Sequence, residues 1–379
     1  MGPRMTGTLK LLRELVALPS VNPAFLPAND PRAGERRVAE FLGATAATRG
    51  LEVELEPVFP GRDNLYARLS PSGKVGQRIL LAPHLDTVNA TDGHFVPRVK
   101  NGRLFGRGAC DTKGSVAVML SALCALAQSG PRPASTEITF VGLVDEENAQ
   151  RGSRALVASG RRADLAIVGE PTEARVVTAH KGSLWLRLET QGKAAHGSRP
   201  DLGSNAIHQM ARIVDLLETH YASQLARCRH PLLGSATVSV GVISGGIQPN
   251  IVPDRCTIQM DRRTLPGETE ASVWRQIRAL LKQHHLSAEC LSDKLAPCPP
   301  LETNPRIPLV AQFLRSAGQR KPAGVDYFCD AAVLAEGGIP SVAFGPGNIA
   351  QAHTVDEWIE VSSLERAHAI LLQFLRSLP

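Results

Sequence analysis

Apolar and polar positions follow two periods along the chain, and the order of these periods predicts the architecture. In the first 179 residues, segments with helical spacing of apolar positions alternate with short apolar runs that are typical of buried strands. Strands that alternate with helices predict a largely parallel sheet covered by helices on both faces. The predicted helices are 6–18, 33–48, 114–128 and 153–159, and the predicted strands are 51–55, 64–69, 78–82, 137–144 and 163–168.

The pattern changes near residue 180. The next elements are predicted as strand 183–190, helix 204–225, strands 236–243 and 255–261, helix 268–285 and strand 287–291. This βαββαβ order, over about 110 residues, is that of a ferredoxin-like unit. After a Pro-rich stretch at 296–300, helices 305–316 and 330–336, strand 341–344 and helix 363–375 resume the first pattern. We therefore predict an α/β protein in which a ferredoxin-like domain, residues 180–293, is inserted into a larger domain formed by residues 1–179 and 294–379.

Composition excludes several classes of partner. The chain has 379 residues, of which 43% are hydrophobic and 21% are charged, as in ordinary globular proteins. The net charge of +6 comes without a dense Lys/Arg tract, so we predict no nucleic-acid partner. No apolar run reaches the ~18 residues that span a membrane, so we predict no membrane association. Seven scattered cysteines without a C-x-x-C pair favour a reducing compartment, and we predict a cytoplasmic protein.

Two polar residues follow the predicted strand 78–82. His84 and Asp86 are two positions apart, so both side chains leave the same side of an extended backbone. Open α/β sheets build their sites at the carboxyl ends of their strands. A His-x-Asp pair by itself is also typical of ordinary polar capping, and the later strands decide between the two interpretations.

The segment 105–114 is a glycine-rich turn that leads into a helix. It is not a P-loop, because no Gly-Lys-Ser/Thr stands at the required spacing. It is not a dinucleotide-binding fingerprint, because Asp111 occupies the place of the third glycine. The turn either has a purely structural role or folds closely so that Asp111 points into a shared site.

Acids and a second histidine follow three later strands. Asp145, Glu146 and Glu147 end one strand, Glu170 ends the next, and His353 lies in the loop after the last strand. Neighbouring acids repel one another unless they fan into solvent or cations hold them. Imidazole and carboxylate ligands without thiolate suit catalytic Zn²⁺, or Mn²⁺ or Co²⁺. Two histidines and three carboxylates suffice for two metals if one carboxylate bridges, and a further acid can take a proton from water.

These residues, in this order, resemble the acetylornithine deacetylase / succinyl-diaminopimelate desuccinylase family of di-zinc amidohydrolases, with its aminoacylase and carboxypeptidase G relatives. The resemblance covers nearly the whole chain and rests on five motifs. It implies a zinc-peptidase-like catalytic domain that cleaves amide bonds with two Zn²⁺ per chain, for which Co²⁺ or Mn²⁺ can substitute. It also implies that the inserted domain is a lid and a dimerisation domain, so we expect a homodimer. Pro83 stands where the family usually has Gly, which leaves the ligand set intact.

The resemblance also assigns roles to residues. The implied metal ligands are His84 and Glu170 at one zinc, Glu147 and His353 at the other, and Asp111 as the bridge. Asp86 would position the site, and Glu146 would be the general base. In the inserted domain, His196 would reach the neighbouring subunit's site and stabilise the oxyanion.

Two further residues of the inserted domain, Asn250 and Arg263, match positions that contact the substrate. Arg263 would hold the substrate α-carboxylate through a bidentate pair. The adjacent Arg262 is an alternative, but Arg263 shares a strand face with Asp261 and is preferred.

The expected reaction is hydrolysis of an N-acyl amino acid or a dipeptide. The segments 169–172, 179–182 and 345–353 look most like those of acetylornithine deacetylases. Succinyl-diaminopimelate desuccinylase and a carboxypeptidase-like dipeptide hydrolase are the alternatives within the class. A non-catalytic family member is a further alternative, although such a protein is expected to lack a ligand or the base, and none is missing here.

Overall fold

The computed structural model describes residues 6–128, 131–293 and 295–379. The chain divides into two compact units. The first comprises Met1–Thr178, Thr303–Ala323 and Cys329–Pro379, and the second comprises Ala179–Glu302 and Gly324–Phe328. The predicted domain boundaries at 179/180 and 293/294 stay a prediction. The second unit differs from the predicted inserted domain mainly because it includes the stretch up to Glu302 and five residues from the later part of the chain.

The helices and strands are numbered in chain order. The helices are α1 Gly7–Val16, α2 Arg36–Ala47, α3 Lys113–Gln128, α4 Arg151–Ala158, α5 Ala206–Leu216, α6 Ala222–Arg227, α7 Glu270–Gln283, α8 Pro308–Ser316, α9 Asp330–Glu336 and α10 Val361–Arg376. The strands are β1 Glu52–Phe59, β2 Arg62–Leu69, β3 Gln77–Pro83, β4 Arg98–Lys100, β5 Arg103–Phe105, β6 Thr136–Gly142, β7 Leu165–Gly169, β8 Val177–His180, β9 Gly182–Gln191, β10 Arg229–His230, β11 Gly234–Ser235, β12 Thr237–Gly245, β13 Arg255–Thr264, β14 Glu289–Ser292, β15 Leu301–Glu302, β16 Ala323–Val325, β17 Ser341–Ala343 and β18 Trp358–Glu360. In the described part of the chain, no helix combines the length and the apolar character needed to cross a membrane.

The main sheet of the first unit has the order β1-β2-β6-β3-β7-β17-β8. Its central strands β6, β3, β7 and β17 are parallel, as predicted. The strands at its two edges, β1 and β2 on one side and β8 on the other, pair antiparallel. Helix α3 is apolar on nearly all sides and has 12 buried residues out of 16, so it packs as a core helix against this sheet.

A three-stranded sheet, β18-β5-β4, was not predicted from the sequence because its strands have only three residues each. Trp358 pairs with Phe105 across β18 and β5. This pairing places the turn that follows β5 beside the segment that precedes β18. The turn carries Asp111 and the segment follows His353, so the small sheet brings two candidate ligand loops together.

The second unit contains an antiparallel sheet with the order β12-β13-β9-β14. Its chain order is βαββαβ, and the sheet order is that of a ferredoxin-like unit, as predicted. The helix predicted over 204–225 is observed as α5 and α6, which are joined by a π-helical turn, Leu217–Tyr221, that was not predicted. Alternate residues of β9 and β13 pack with these helices and α7 in a core that includes Leu186, Ile258 and Ile277.

Candidate metal centre

The parallel strands of the first unit end at one edge of the sheet. Pro83 at the end of β3 pairs with Gly169 at the end of β7, and His84 forms an isolated bridge with Leu143 just beyond β6. Residues that follow these strands therefore meet in the crevice beyond their carboxyl ends, where open α/β sheets bind ligands. The strand continues through Pro83, so proline at this position does not displace His84.

Two groups of candidate ligands lie in this crevice and share one residue. His84, Asp111 and Glu170 form the first group, and Asp111, Glu147 and His353 form the second. Within each group, one ligand atom from every residue lies within 4.8 Å of the others. Asp111 belongs to both, as a bridging carboxylate would. The five residues predicted as metal ligands are thus close together, although their roles stay a prediction.

Asp111 lies between the two histidines. His84 Nε2 is 3.1 Å from Asp111 Oδ1, and His353 Nε2 is 3.4 Å from Asp111 Oδ2. Burial raises the pKa of Asp111, but the hydrogen bonds from His353 and His84 outweigh burial and lower it. Burial lowers the pKa of His84, but hydrogen bonds to Asp111 and Asp86 outweigh burial and raise it well above its ordinary value. Hydrogen bonds from the two histidines thus favour the ionised form of the carboxylate that both ligand groups share.

At three further carboxylates of the crevice, burial outweighs the effect of the histidines on the pKa. Burial raises the pKa of Glu146 and of Glu170 well above the ordinary value, with repulsion from neighbouring acids as a second cause. Burial also raises the pKa of Glu147. Among the described residues, Glu170 Oε1 is a buried atom without a hydrogen-bond partner. A buried, unpartnered carboxylate oxygen in a group of oxygen and nitrogen donors fits a divalent cation, which would supply the missing charge.

The acidic loop after β6 is held by Asp86. Its carboxylate accepts hydrogen bonds from the backbone N–H groups of Glu146 and Glu147, both at 3.1 Å. Asn22 Nδ2 donates to Asp86 Oδ2 at 2.7 Å and to Asp145 Oδ1 at 3.0 Å. Asp86 is thus in contact with the residues that it was predicted to position. The sequence analysis missed Asn22, which no periodicity or ligand spacing marks.

The turn that carries Asp111 depends on glycine at one position in particular. Gly108 has φ +80°, and a Cβ there would lie 2.9 Å from the Lys113 side chain and 3.0 Å from Thr87. A larger residue would therefore be strained and would also collide with its neighbours. The peptide bond between Asp111 and Thr112 is cis.

One residue that contacts this turn was not predicted from the sequence. The carboxylate of Glu357 accepts a hydrogen bond from the backbone N–H of Asp111 at 2.9 Å.

The other predicted functional residues lie in the second unit. His196 is exposed, and its Nδ1 lies 2.8 Å from Ser198 Oγ. The N–H of Gly197 donates to the carbonyl oxygen of Asn250 at 2.7 Å, so the segments that carry His196 and Asn250 are neighbours. Both side chains are accessible to a ligand from solvent.

Arg262 and Arg263 project from opposite faces of β13. Arg262 is fully buried, donates from Nε to the Tyr221 hydroxyl at 3.2 Å and pairs with Glu268 at 2.5 Å. Arg263 keeps 34% of its side chain exposed and pairs with Asp261 at 2.7 Å. Only Arg263 can meet a ligand, because the Arg262 guanidinium is enclosed in the core of the unit.

Comparison with known proteins identifies the family. The sequence profile of peptidase family M20/M25/M40 matches residues 80–377, most of the chain. The chain belongs to peptidase family M20/M25/M40. The predicted family resemblance and the prediction of a hydrolase that acts on C–N bonds are thereby confirmed.

Individual members of the M20 family agree with this assignment. Acetylornithine deacetylase of Proteus mirabilis is 30% identical, with 100% of this chain and 98% of that protein aligned. The fold is similar to that of aminopeptidase PepT from Bacillus cereus, with a TM-score of 0.79, 22% identity and 98% of each chain covered. It is also similar to the Bacillus subtilis YXEP protein, described as a dinuclear metal-binding peptidase, with a TM-score of 0.70, 15% identity and 97% and 96% coverage.

Proposed function

We propose that this protein hydrolyses the amide bond of an N-acyl amino acid with two divalent metal ions. The observation that carries the proposal is the pair of ligand groups that share Asp111. The dinuclear metal-binding peptidase from Bacillus subtilis, whose fold is similar, supports the same count of metals. Zn²⁺ is the metal that the two histidines and three carboxylates fit best, with Co²⁺ or Mn²⁺ as substitutes.

One metal ion would be held by His84 and Glu170, and the other by Glu147 and His353. Asp111 would be a ligand of both ions. When bound, the metals would lower the pKa of a water molecule and polarise the scissile carbonyl group. Glu146 is the group that moves the proton. It is partly buried beside both ligand groups, and burial raises its pKa, so its carboxylate accepts a proton from the attacking water readily. It then donates this proton to the nitrogen of the leaving amine.

Residues of the second unit would bind the substrate. Arg263, which is partly exposed on β13, would hold the substrate carboxylate in a charge-assisted pair. Asn250 would contact the substrate beside it, and His196 would donate a hydrogen bond to the developing oxyanion. We propose that the first unit is the catalytic domain and that the second is its lid.

We also propose a homodimer formed through the second unit. Strand β12 is at the edge of its sheet, and its outer ladder of N–H and C=O groups has no strand partner among the described residues. Val242 and Ile243 on this strand are 52% and 57% exposed, and Ile247 just beyond it is 85% exposed. A second copy of the strand would cover both the ladder and these side chains.

The dimer is tested by sedimentation. We expect Ile243→Lys to convert the protein from a dimer to a monomer and to lower activity, because His196 would serve the neighbouring subunit. Leu202→Lys, which changes an equally exposed residue of the same unit outside β12, is the control. A wild-type protein that sediments as a monomer at all concentrations would contradict the proposal.

N-acetylornithine is the substrate that we propose first, because the 30% identical relative is an acetylornithine deacetylase. N-succinyl-diaminopimelate and dipeptides, the substrates of a desuccinylase and of a carboxypeptidase-like dipeptide hydrolase, are the alternatives. The cytoplasmic location that the scattered cysteines favour stays a prediction. The decisive experiment measures kcat/KM for N-acetylornithine, N-succinyl-diaminopimelate, a panel of N-acyl amino acids and dipeptides, before and after metal removal.

We expect one substrate class to dominate, activity to vanish on chelation and Zn²⁺, Co²⁺ or Mn²⁺ to restore it. Full activity of metal-free protein would contradict the mechanism. Absence of hydrolysis across the panel in the presence of two bound metals would instead favour a non-catalytic member.

A further inference from the structure

A single buried carboxylate organises the turn that carries Asp111. Glu357 is 2% exposed, and its Oε1 accepts the backbone N–H groups of Cys110 at 2.8 Å and Asp111 at 2.9 Å. Its Oε2 accepts the N–H of Gly108 at 3.0 Å. Successive backbone N–H groups that point inward make a concave anion-binding turn, and here a side chain of the protein fills it. The position of the Asp111 backbone is therefore defined by Glu357.

Arg107 completes this arrangement and links it to the loop of His353. Its Nη1 donates to Glu357 Oε2 at 2.7 Å, and its Nη2 donates to the carbonyl oxygen of Thr354 at 3.1 Å. Arg107 is 5% exposed, so both contacts are shielded from water. Thr354 directly follows His353. The ion pair thus joins the two segments that carry Asp111 and His353.

The pairing of β18 with β5 and a hydrogen bond from the Cys110 thiol to the carbonyl oxygen of Asn348 at 3.3 Å also join these two parts of the chain, but neither contacts His353 itself. His353 has 53% of its side chain exposed and a backbone φ of +59°, so packing does not fix its loop as it fixes the buried His84. The hydrogen bonds to Glu357 are charge-assisted, which makes them stronger than neutral ones. Arg107 also neutralises Glu357, so this carboxylate adds no net charge beside the ligand carboxylates.

We propose that Glu357 and Arg107 are positioning residues that hold Asp111 and His353 at the separation needed to bind one metal ion together with Glu147. The inference rests on the metal ligands proposed above. It predicts that the two metal ions depend on the Arg107–Glu357 pair to different extents. The ion at Asp111, Glu147 and His353 needs this pair in order to bind tightly. The ion at His84, Asp111 and Glu170 needs it less, because His84 is held by the end of β3.

The test is a titration of the whole metal-free protein with Co²⁺, in which calorimetry and visible absorption monitor the binding of each ion. We expect wild type to bind two ions. Glu357→Gln keeps the size of the side chain but removes the charge that the N–H groups contact. We expect it to weaken the binding of the first ion only slightly, because Asp111 is shared, and that of the second about 10- to 100-fold, with an altered absorption spectrum.

Glu360→Gln is the matched control, since Glu360 lies three residues further on and is exposed in a pair with Arg103 at 3.4 Å. It should leave both affinities and the spectrum unchanged. Wild-type affinities and spectrum in Glu357→Gln would overturn the inference, as would an equal effect of Glu360→Gln. A merely structural role would lower the melting temperature of Glu357→Gln without changing the second affinity or the spectrum.

Arg107→Lys provides a second test in case Glu357→Gln does not fold. It keeps a positive charge beside Glu357, but a single ammonium group cannot reproduce both guanidinium contacts. We expect the second ion to bind several-fold more weakly while circular dichroism stays that of wild type. Unchanged binding of the second ion by Arg107→Lys would overturn the inference. Failure of wild type to bind any metal would instead contradict the proposed function.

Discussion

The Oδ1 atom of Asp86 accepts a hydrogen bond from the backbone N–H of Glu146 at 3.1 Å. This contact joins the segment after β3 to the segment after β6, and it fixes the backbone from which the Glu146 side chain extends. Asp86 is itself completely buried and accepts further hydrogen bonds from the Glu147 N–H and from Asn22. The proposed base therefore extends from a rigid backbone rather than from a mobile loop.

Replacement of Glu146 by Gln tests its role as the base. The amide cannot accept the proton, so we expect kcat to fall by about 10²- to 10⁴-fold while each chain still binds two metals. Glu137→Gln, on β6 in a partly exposed pair with Arg78, should retain wild-type activity. Steady-state kinetics and metal analysis of both variants make the comparison. Near-normal kcat in Glu146→Gln would remove this residue from the mechanism.

Replacement of the two neighbouring arginines separates binding from stability. We expect Arg263→Met to raise KM more than about tenfold for substrates with a free carboxylate and to leave the unfolding free energy nearly unchanged. Arg262→Met should instead destabilise the protein by about 3 kcal/mol, because Glu268 loses its partner. Kinetics and urea unfolding of both variants distinguish these effects. The reverse pattern would assign substrate binding to Arg262.

A buried network behind the acidic loop should contribute to stability. Arg62 donates to both oxygens of Glu35, at 2.7 and 2.6 Å, and to Asp145 at 3.2 Å. We expect Arg62→Met to lower the unfolding free energy by about 3–5 kcal/mol, because Glu35 is completely buried and would lose its counterion. Arg68→Met, on the same strand in an exposed pair with Glu52, should cost about 0–1 kcal/mol. Equal losses in urea unfolding would refute this explanation.

His368 on α10 should make stability depend on pH. Burial lowers its pKa below the ordinary value of 6.5, so the folded protein binds a proton there less readily than the unfolded chain does. Above pH 6.5 this histidine does not disfavour the folded state. As the pH falls from 6.5 towards the lower pKa of the folded protein, the unfolded chain binds the proton more readily, and the unfolding free energy decreases. His368→Gln should reduce the difference in unfolding free energy between pH 7.5 and pH 5.

The control for this prediction is His208→Gln, which replaces an exposed histidine of α5. It should retain the wild-type pH dependence. Identical pH profiles of wild type and His368→Gln would show that the burial of His368 has no effect on stability in this range.

Local sequence patterns predicted helices and strands well where a segment buries one or both of its faces against the rest of the protein. The apolar run that ends at His84 and the run that ends at Glu170 were predicted as strands, and both are central strands of the sheet. The helix predicted over 204–225 is observed, but its π-helical turn at Leu217–Tyr221 was not predicted, because apolar spacing alone does not distinguish an α-helical turn from a π-helical one. The small sheet of β4, β5 and β18 was missed because three residues are too few to establish a period of two.

The residues that position the candidate ligands were predicted less well than the ligands. Histidines and acids at strand ends can be found because metal ligands belong to few residue types. Glu357 and Arg62 carry no such mark, since charged residues are common on every surface. Their partners are far away in the sequence: Asp111 lies 246 residues from Glu357, and Glu35 lies 27 residues from Arg62.

The sequence by itself determined the alternation of strands and helices, the inserted βαββαβ unit and the chemical types of the candidate ligands, because each follows from local periodicity or from side-chain chemistry. The family resemblance implied a bridging Asp111, but only the tertiary structure shows Asp111 within 4.8 Å of ligand atoms in both groups. The tertiary structure also decided that Arg262 is the enclosed arginine and Arg263 the accessible one. Strand alternation places these two on opposite faces, but which face is buried depends on helices packed from distant parts of the chain.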